Sequence, residues 1–423
     1  MTPATAEAAA AAASAVAVER AGMVASLIRL TGDWELAEDC VQDALEKALR
    51  HWPEAGLPRS PAAWLTTAAR NRALDVLRRR RTEQAKLAER ALLVEAAQTG
   101  TDRDDRLSLI FTCCHPALPL DGRVALTLKT VAGLSTAQIA DAFLVSESTM
   151  SQRLLRTKRK ISHAAIPYRV PPDELLAERT DGVLAVLYLV FNAGYGQPEG
   201  RLADEALHLA RLLVDLMPSA DEACGLLALI MFQQARRATR FDAAGDLVSM
   251  EEQDRSRWDP ALTAGAHREL RRATRSGRPP GPYRLQARLA ACHASAPSAQ
   301  ATPWHAIVPL YDALLAAQPS PVAALNRAVA VGFRDGFAAG LDALDALDTD
   351  ALAGYHLLPA ARADFLRRVG RTEAARTAYK DALRLVTEDG PEARFLRRRL
   401  AALPTSSSSQ PCGPPQPPAA QAG

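Results

Sequence analysis

An all-α fold is the expectation for this chain, and three observations carry it. Apolar residues make up 48% of the 423 residues, mostly as Ala and Leu, whereas aromatics are only 5%. β-Branched runs are scarce, which favours helix over sheet. Where apolar residues recur, as at Met150, Leu154, Thr157 and Ile161, their spacing is four and three, the period of one helix face.

The length allows two or three domains. Residues 1–15 are Ala-rich low complexity and read as a frayed helix or a flexible start. A helical block spans 16–86, and a polar connector containing "QTGTDRDDR" covers 87–105. A second helical block follows at 106–163. Pro171 and Pro172 then mark the main boundary, and a long helical extension fills 170–403. The tail 404–423, rich in Ser and Pro, cannot build a core and reads as disordered.

Net charge is +3, so what matters is where the cations sit. They cluster at Arg78–Arg81 and at Arg153, Arg156, Lys158, Arg159 and Lys160; Arg397–Arg399 reads as a solvated helix end. The six cysteines are scattered and form no C-x-x-C pair, which argues against a zinc or redox motif and suits a reducing cytoplasm. No apolar run is long enough to span a membrane, and the start lacks a cationic n-region. A cytoplasmic protein with no membrane contact is expected.

Within the first block, "GDWELAEDCVQDALEKALRHW" puts Ala37, Val41, Ala44, Leu45 and Ala48 on a buried side. Asp39, Gln42, Asp43 and Glu46 form an exposed stripe at i, i+3, i+4 and i+7. An acidic stripe repels DNA and suits a basic protein partner. Next, "RSPAAWLTTAARNRALDVLRRRR" carries Arg70, Asn71, Arg72, Asp75 and Arg78 on its polar side and ends in arginines, as a surface for nucleic acid would. Trp64 reads either as a core residue or as a wedge at melted DNA.

In the second block, "FTCCHPALP" sets Cys113, Cys114 and His115 side by side. Adjacent residues on a helix point to different sides and make poor joint ligands, so buried thiols are the expected reading, with no metal and no cofactor. "LSTAQIADAFLVSESTMSQRLLRTKRKI" is laid out as a helix-turn-helix. Ser135 and Gln138 form a capping box, Ile139, Ala140 and Phe143 give the first helix its stripe, and Ser146 caps the second helix. Opposite the anchoring face stand Ser148, Ser151, Gln152, Leu155, Arg156 and Arg159. Hydroxyl, amide and guanidinium groups can read base edges in a major groove, and Leu155 can meet a thymine methyl. The bland alternative is an ordinary basic surface helix.

The extension hints at repetition. Ala363, Leu366, Gly370, Ala375, Tyr379 and Ala382 have the spacing of a tetratricopeptide-like helix pair, and a shift back by 35 residues lands on Ala328, Val331, Gly340, Leu344 and Leu347, again apolar or small; that period is close to the roughly 34 residues of such repeats. Ordinary antiparallel helix packing explains the same pattern. "VLAVLYLVFNAGYG" (183–196) reads as a buried core helix whose Asn192 and Tyr195 could line a pocket or a contact.

Taken together, these motifs resemble the sigma-70 family of bacterial RNA polymerase, in its extracytoplasmic-function (ECF) group. "GDWELAEDCVQDALEKAL" is similar to regions 2.1 and 2.2, "AAWLTTAARNRALDVLRRRR" to regions 2.3 and 2.4, and the helix-turn-helix to region 4.2, over about 16–163 and in that order. The resemblance implies that Asp39, Gln42, Asp43 and Glu46 bind core polymerase, whose β′ clamp and β flap would be the partners. Asn71, Arg72, Asp75, Arg78 and Arg79, with the loop "HWPEAGLPRSP", would engage the minus-ten promoter element. Ser148, Ser151, Gln152, Leu155 and Arg156 would face the minus-thirty-five element, with Arg153, Lys158 and Arg159 on phosphates.

Minimal family members end soon after region 4, whereas this chain continues. "LYLVFNAGYG", "EEQDRSRWD" and "FTCCHPALP" resemble a subgroup with a long helical, tetratricopeptide-like extension. That resemblance implies a built-in regulator that docks on regions 2 and 4 or on polymerase, with a regulatory protein or ligand as its own partner. Two other readings stay open: a stand-alone helix-turn-helix regulator fused to a helical-repeat module, and a repeat scaffold or enzyme that uses Cys113, Cys114 and His115.

Overall fold

The computed structural model describes residues 3–84, 102–143, 145–195, 200–348 and 350–404, and every described element is helical. The chain divides into two compact units, Met1–Gln234 with Pro260–Ala287, and Ala235–Asp259 with Arg288–Gly423. The tail beyond Pro404, most of the connector and Cys412 lie outside the described residues.

The first unit opens on three helices, α1 (Pro3–Thr31), α2 (Trp34–Ala55) and α3 (Pro61–Gln84), each packed on the other two. The Ala-rich start, for which the sequence leaves a frayed helix and a flexible segment both open, forms the first turns of α1 from Pro3, in keeping with the high helix propensity of Ala. Gly32, at φ 65°, ends α1. One residue later the Asp33 carboxylate accepts from the Glu35 and Leu36 amides, both at 3.1 Å, and so starts α2. Small residues make the three-helix contact close: Ala37, Ala44, Ala48, Ala69 and Ala73 are buried around Leu65 and Trp52.

Four helices follow: α4 (Asp102–Cys113), α5 (Leu120–Thr130), α6 (Thr136–Ala142) and α7 (Glu147–His163). The capping box at Ser135 and Gln138 is formed, at 3.1 Å and 2.8 Å in its two directions, and the Ser146 hydroxyl accepts from the Thr149 amide at 3.2 Å. Met150, Leu154, Thr157 and Ile161 are buried and seat α7 on α5 and α6. Leu144, in the turn, lies outside the described residues.

Pro171 and Pro172 separate α7 from α8 (Asp173–Tyr195), but the compact unit does not end there. α8 packs against α4, α5 and α9 (Arg201–Leu216). Its Val183, Val186, Leu187 and Val190 are buried, so the apolar run closes the first unit's own core. The Arg179 guanidinium also donates to the Phe111 carbonyl of α4 at 2.7 Å. At the α8–α9 crossing a Cβ on Gly194 would fall inside contact distance of the Ala203 amide nitrogen, so glycine is required there. α10 (Asp221–Ala235) and α11 (Pro260–Arg272) follow, and α12 (Pro282–Ser295) begins in this unit. Glu222 fastens that beginning: it accepts from the Gly281 and Tyr283 amides, each at 2.9 Å, and pairs with Arg284 at 2.7 Å.

The second unit contains the segment 235–259, the end of α12 and six helices: α13 (Trp304–Ala317), α14 (Pro321–Asp335), α15 (Phe337–Asp345), α16 (Leu357–Arg368), α17 (Thr372–Leu383) and α18 (Pro391–Ala401). Neighbours in sequence pack in pairs, α14 on α15 and α16 on α17. Leu325, Leu344, Phe365, Leu366 and Tyr379 belong to one continuous core. α14 and α15 cross at two glycines, where a Cβ on Gly340 would lie 2.7 Å from the Gly332 Cα.

Candidate polymerase and nucleic-acid interfaces

On α2, Asp39, Gln42 and Glu46 are exposed and Asp43 is half-buried, while Ala37, Val41, Ala44 and Ala48 of the other face are buried. The period of the helix produces this separation. On α3, Arg70, Asn71, Arg72, Asp75, Arg78 and Arg79 are exposed; the side chains of Arg80 and Arg81 lie outside those described. The two sets meet at one point, because Arg72 Nε donates to Asp43 Oδ2 at 2.6 Å. That carboxylate raises the Arg72 pKa through the hydrogen bond. An exposed pair of this kind exchanges partners at little cost, so neither residue is committed to it.

The stretch His51–Pro61 joins these helices. Trp52 is buried, and Trp64 is half-buried, edge-on to Trp52 with 5.4 Å between ring centres and stacked on His51 at 6.3 Å. Gly56, Leu57, Arg59 and Ser60 are exposed in the loop itself.

On α7, Ser148, Ser151, Gln152, Leu155, Arg156 and Arg159 are all exposed. Gln152 accepts from Arg156 at 3.2 Å, a local bond that presents both side chains together. Two basic residues of this helix are turned elsewhere. Arg153 pairs with Asp121 at 3.2 Å and is 25% exposed. Lys158 donates to Glu38 Oε2 of α2 at 2.9 Å, with the two side chains only 15% and 16% exposed. In this conformation Lys158 faces the α1–α2 helices and stands apart from the open basic face.

That contact belongs to a seam between α1–α2 and α4–α7. Arg29 pairs with Asp105 at 2.7 Å. Tyr168, just beyond α7, donates to the Ala25 carbonyl at 3.0 Å and lies within reach of the Asp105 carbonyl at 3.2 Å. Its ring meets Trp34 edge-on at 6.3 Å. Burial above all pushes the Tyr168 hydroxyl pKa up, so it stays a donor. Around Glu38 two more cations gather: Arg20 and Lys129 are both depressed by burial, and the Glu38 charge acts against that depression. The motif reading missed Glu38 and Tyr168. Glu38 adjoins the acidic stripe but is rotated inward, and Tyr168 sits in a proline-flanked stretch without periodicity.

Cys113 and Cys114 are fully buried, and Cys114 Sγ lies 3.5 Å from the Thr127 hydroxyl. Burial pushes both thiols up, Cys114 to about 11, which makes them poor nucleophiles at neutral pH. His115 Nδ1 accepts from the Ala117 amide at 3.1 Å and shapes the turn into α5. Tyr195, at the end of the apolar run, donates to Gln233 of α10 at 2.6 Å.

Residues 19–83 match the family Sigma-70 region 2, and residues 108–161 match Sigma-70 region 4. The ECF RNA polymerase sigma factor SigL of Mycobacterium tuberculosis is 34% identical over 135 residues, covering 30% of this chain and 73% of that protein. This chain belongs to the ECF RNA polymerase sigma factors. The sigma factor also carries, at residues 179–274, a match to a family of unknown function, DUF6596. Uncharacterized protein R00370 of Rhizobium meliloti is 42% identical over 390 residues, or 89% of this chain and 92% of that one. Extension and sigma regions therefore occur together in a second chain. No solved structure matches. Among the described residues no helix is long and apolar enough to cross a membrane, and no cluster of His, Cys, Asp and Glu could hold a metal ion.

Proposed function

We propose that this sigma factor binds core RNA polymerase in the cytoplasm and directs initiation at promoters of one sequence class. The observation that carries the reading is the exposed α7 face: all six residues suited to base edges and phosphates are open to solvent while the four anchors are buried. Asp39, Gln42, Asp43 and Glu46 would hold the polymerase clamp, Asn71, Arg72, Asp75, Arg78 and Arg79 the minus-ten element, and Ser148, Ser151, Gln152, Leu155, Arg156 and Arg159 the minus-thirty-five element. Arg153 and Lys158 would reach phosphates after leaving Asp121 and Glu38. A sigma factor makes no bonds itself. Separating the duplex costs roughly 1.4 kcal/mol per stacked step, which contacts to the displaced strand and captured bases must offset.

Run-off transcription with purified core enzyme on genomic fragments tests this directly, with discrete start sites as the expected result. Asp39→Lys with Asp43→Lys should abolish co-purification with core polymerase while leaving helix content unchanged. Specific DNA binding without any polymerase association would instead establish a stand-alone regulator.

For the extension we infer regulation through its docking. α8 lies on α4 and α5, α5 in turn lies on α7, and Arg179 holds the Phe111 carbonyl, contacts through which a shift of the extension would reach the helix-turn-helix. Arg179→Gln is expected to change promoter-dependent activity without changing polymerase affinity; unchanged transcript levels would remove the idea.

A further inference from the structure

We propose that the second unit holds a binding site for a small uncharged aromatic molecule. A cavity of about 330 Å³ lies between the segment 249–255, α12, α13, α14 and α16. That is near the lower end of the roughly 300–1,000 Å³ typical of ligand pockets, room for one or two fused rings.

Its aromatic wall is preformed. Trp304 stacks on Phe333 with 4.6 Å between ring centres and 12° between planes, and Phe333 meets Phe365 edge-on at 6.2 Å. The Arg368 guanidinium covers Phe333 at 5.3 Å, fixing that ring from outside the cavity lining. Val329 and Ala361 complete the apolar surface.

The charged groups of the lining are already committed. Asp364 pairs with Arg367 and Arg368, each at 2.6 Å, and Glu251 also pairs with Arg368. Arg255 spends its guanidinium on the carbonyls of His293, at 2.6 Å, and Ala296, at 2.9 Å. An ionic ligand would lose hydration here and find no free counter-charge.

His293 packs edge-on to Trp304 at 5.4 Å and adds another ring to the lining. Within the reading above such a molecule is the signal for the extension, but the test is binding alone and is decided apart from transcription.

The experiment is calorimetric titration of the full chain with phenol, toluene, indole, benzoate and benzylamine. Phenol and indole are expected to bind at one site per chain, with benzoate and benzylamine at least about tenfold weaker, as missing counter-charges require. Ala361→Phe, which fills the cavity, should weaken indole by about tenfold or more. Toluene, which has the ring without the hydroxyl, should also saturate one site, and Trp304→Ala, which removes the stacked wall, should weaken indole by a similar factor. The proposal is overturned by no saturable binding of phenol or indole, by benzoate binding equally well, or by indole affinity unchanged in both variants. The comparison of indole with benzoate decides the matter even if neither variant folds.

Discussion

Replacing Glu38 by Gln removes the one carboxylate in contact with Lys158 across the seam. The pair is 2.9 Å apart, which at an effective dielectric of about 20 amounts to about 6 kcal/mol of direct attraction. Most of that is offset by the desolvation of two groups only 15% and 16% exposed. Breaking a fully buried pair costs roughly 3–5 kcal/mol. Here the loss is smaller, because Lys158 borders a cavity of about 440 Å³ lined also by Trp34, Ile161 and Tyr168, into which it can turn and rehydrate. Arg20 and Lys129 lose a stabilising anion at the same time. We expect a net destabilisation of about 2 kcal/mol, a shift of roughly thirtyfold in the closed-to-open ratio of the seam. Denaturant unfolding and amide exchange of the α1, α2 and α7 backbone measure it, in a cycle with Lys158→Met. Glu38→Gln and Lys158→Met should each raise exchange at the seam, and the double variant should lose less than the sum. Additive effects, or exchange unchanged in either single variant, would refute the reasoning.

The remaining predictions are more local. Gln152→Ala should relax promoter preference at one base position and cost roughly 1–3 kcal/mol of discrimination, whereas Arg159→Ala should weaken binding to all sequences and lower the salt slope by about one, both read by DNA binding across ionic strength. Gly194→Ala forces a methyl group into the Ala203 backbone and should lower stability by about 3 kcal/mol, visible as a lower unfolding midpoint. His293 is held neutral, its pKa pushed down from 6.5 to about 4, first by burial and then by Arg236 and Arg255. The unfolded chain takes up a proton below about pH 6.5 that the folded chain refuses until about pH 4, so stability should fall through that window by up to about 3 kcal/mol. His293→Phe should flatten this part of the pH profile in denaturant titrations, and an unchanged slope would assign it to other groups.

The sequence by itself determined the helical class, the acidic stripe of α2, the capped helix-turn-helix and the two-faced character of α7. Each of these is written in residues three or four positions apart, where helix geometry alone decides which side chains share a face. Family membership was legible for the same reason, since its motifs are such local patterns. Only the tertiary structure decided that Lys158 turns toward Glu38, 120 positions away, and that Tyr168 reaches the carbonyls of Ala25 and Asp105. It also decided that α8 completes the first unit rather than opening a second one, because an apolar run shows that a helix is buried but not against what. The second unit's cavity draws on segments from Ser249 to Phe365, and no periodicity links them. Pairings of this kind are set by which surfaces remain to be covered once the helices have formed, and that depends on the whole chain at once.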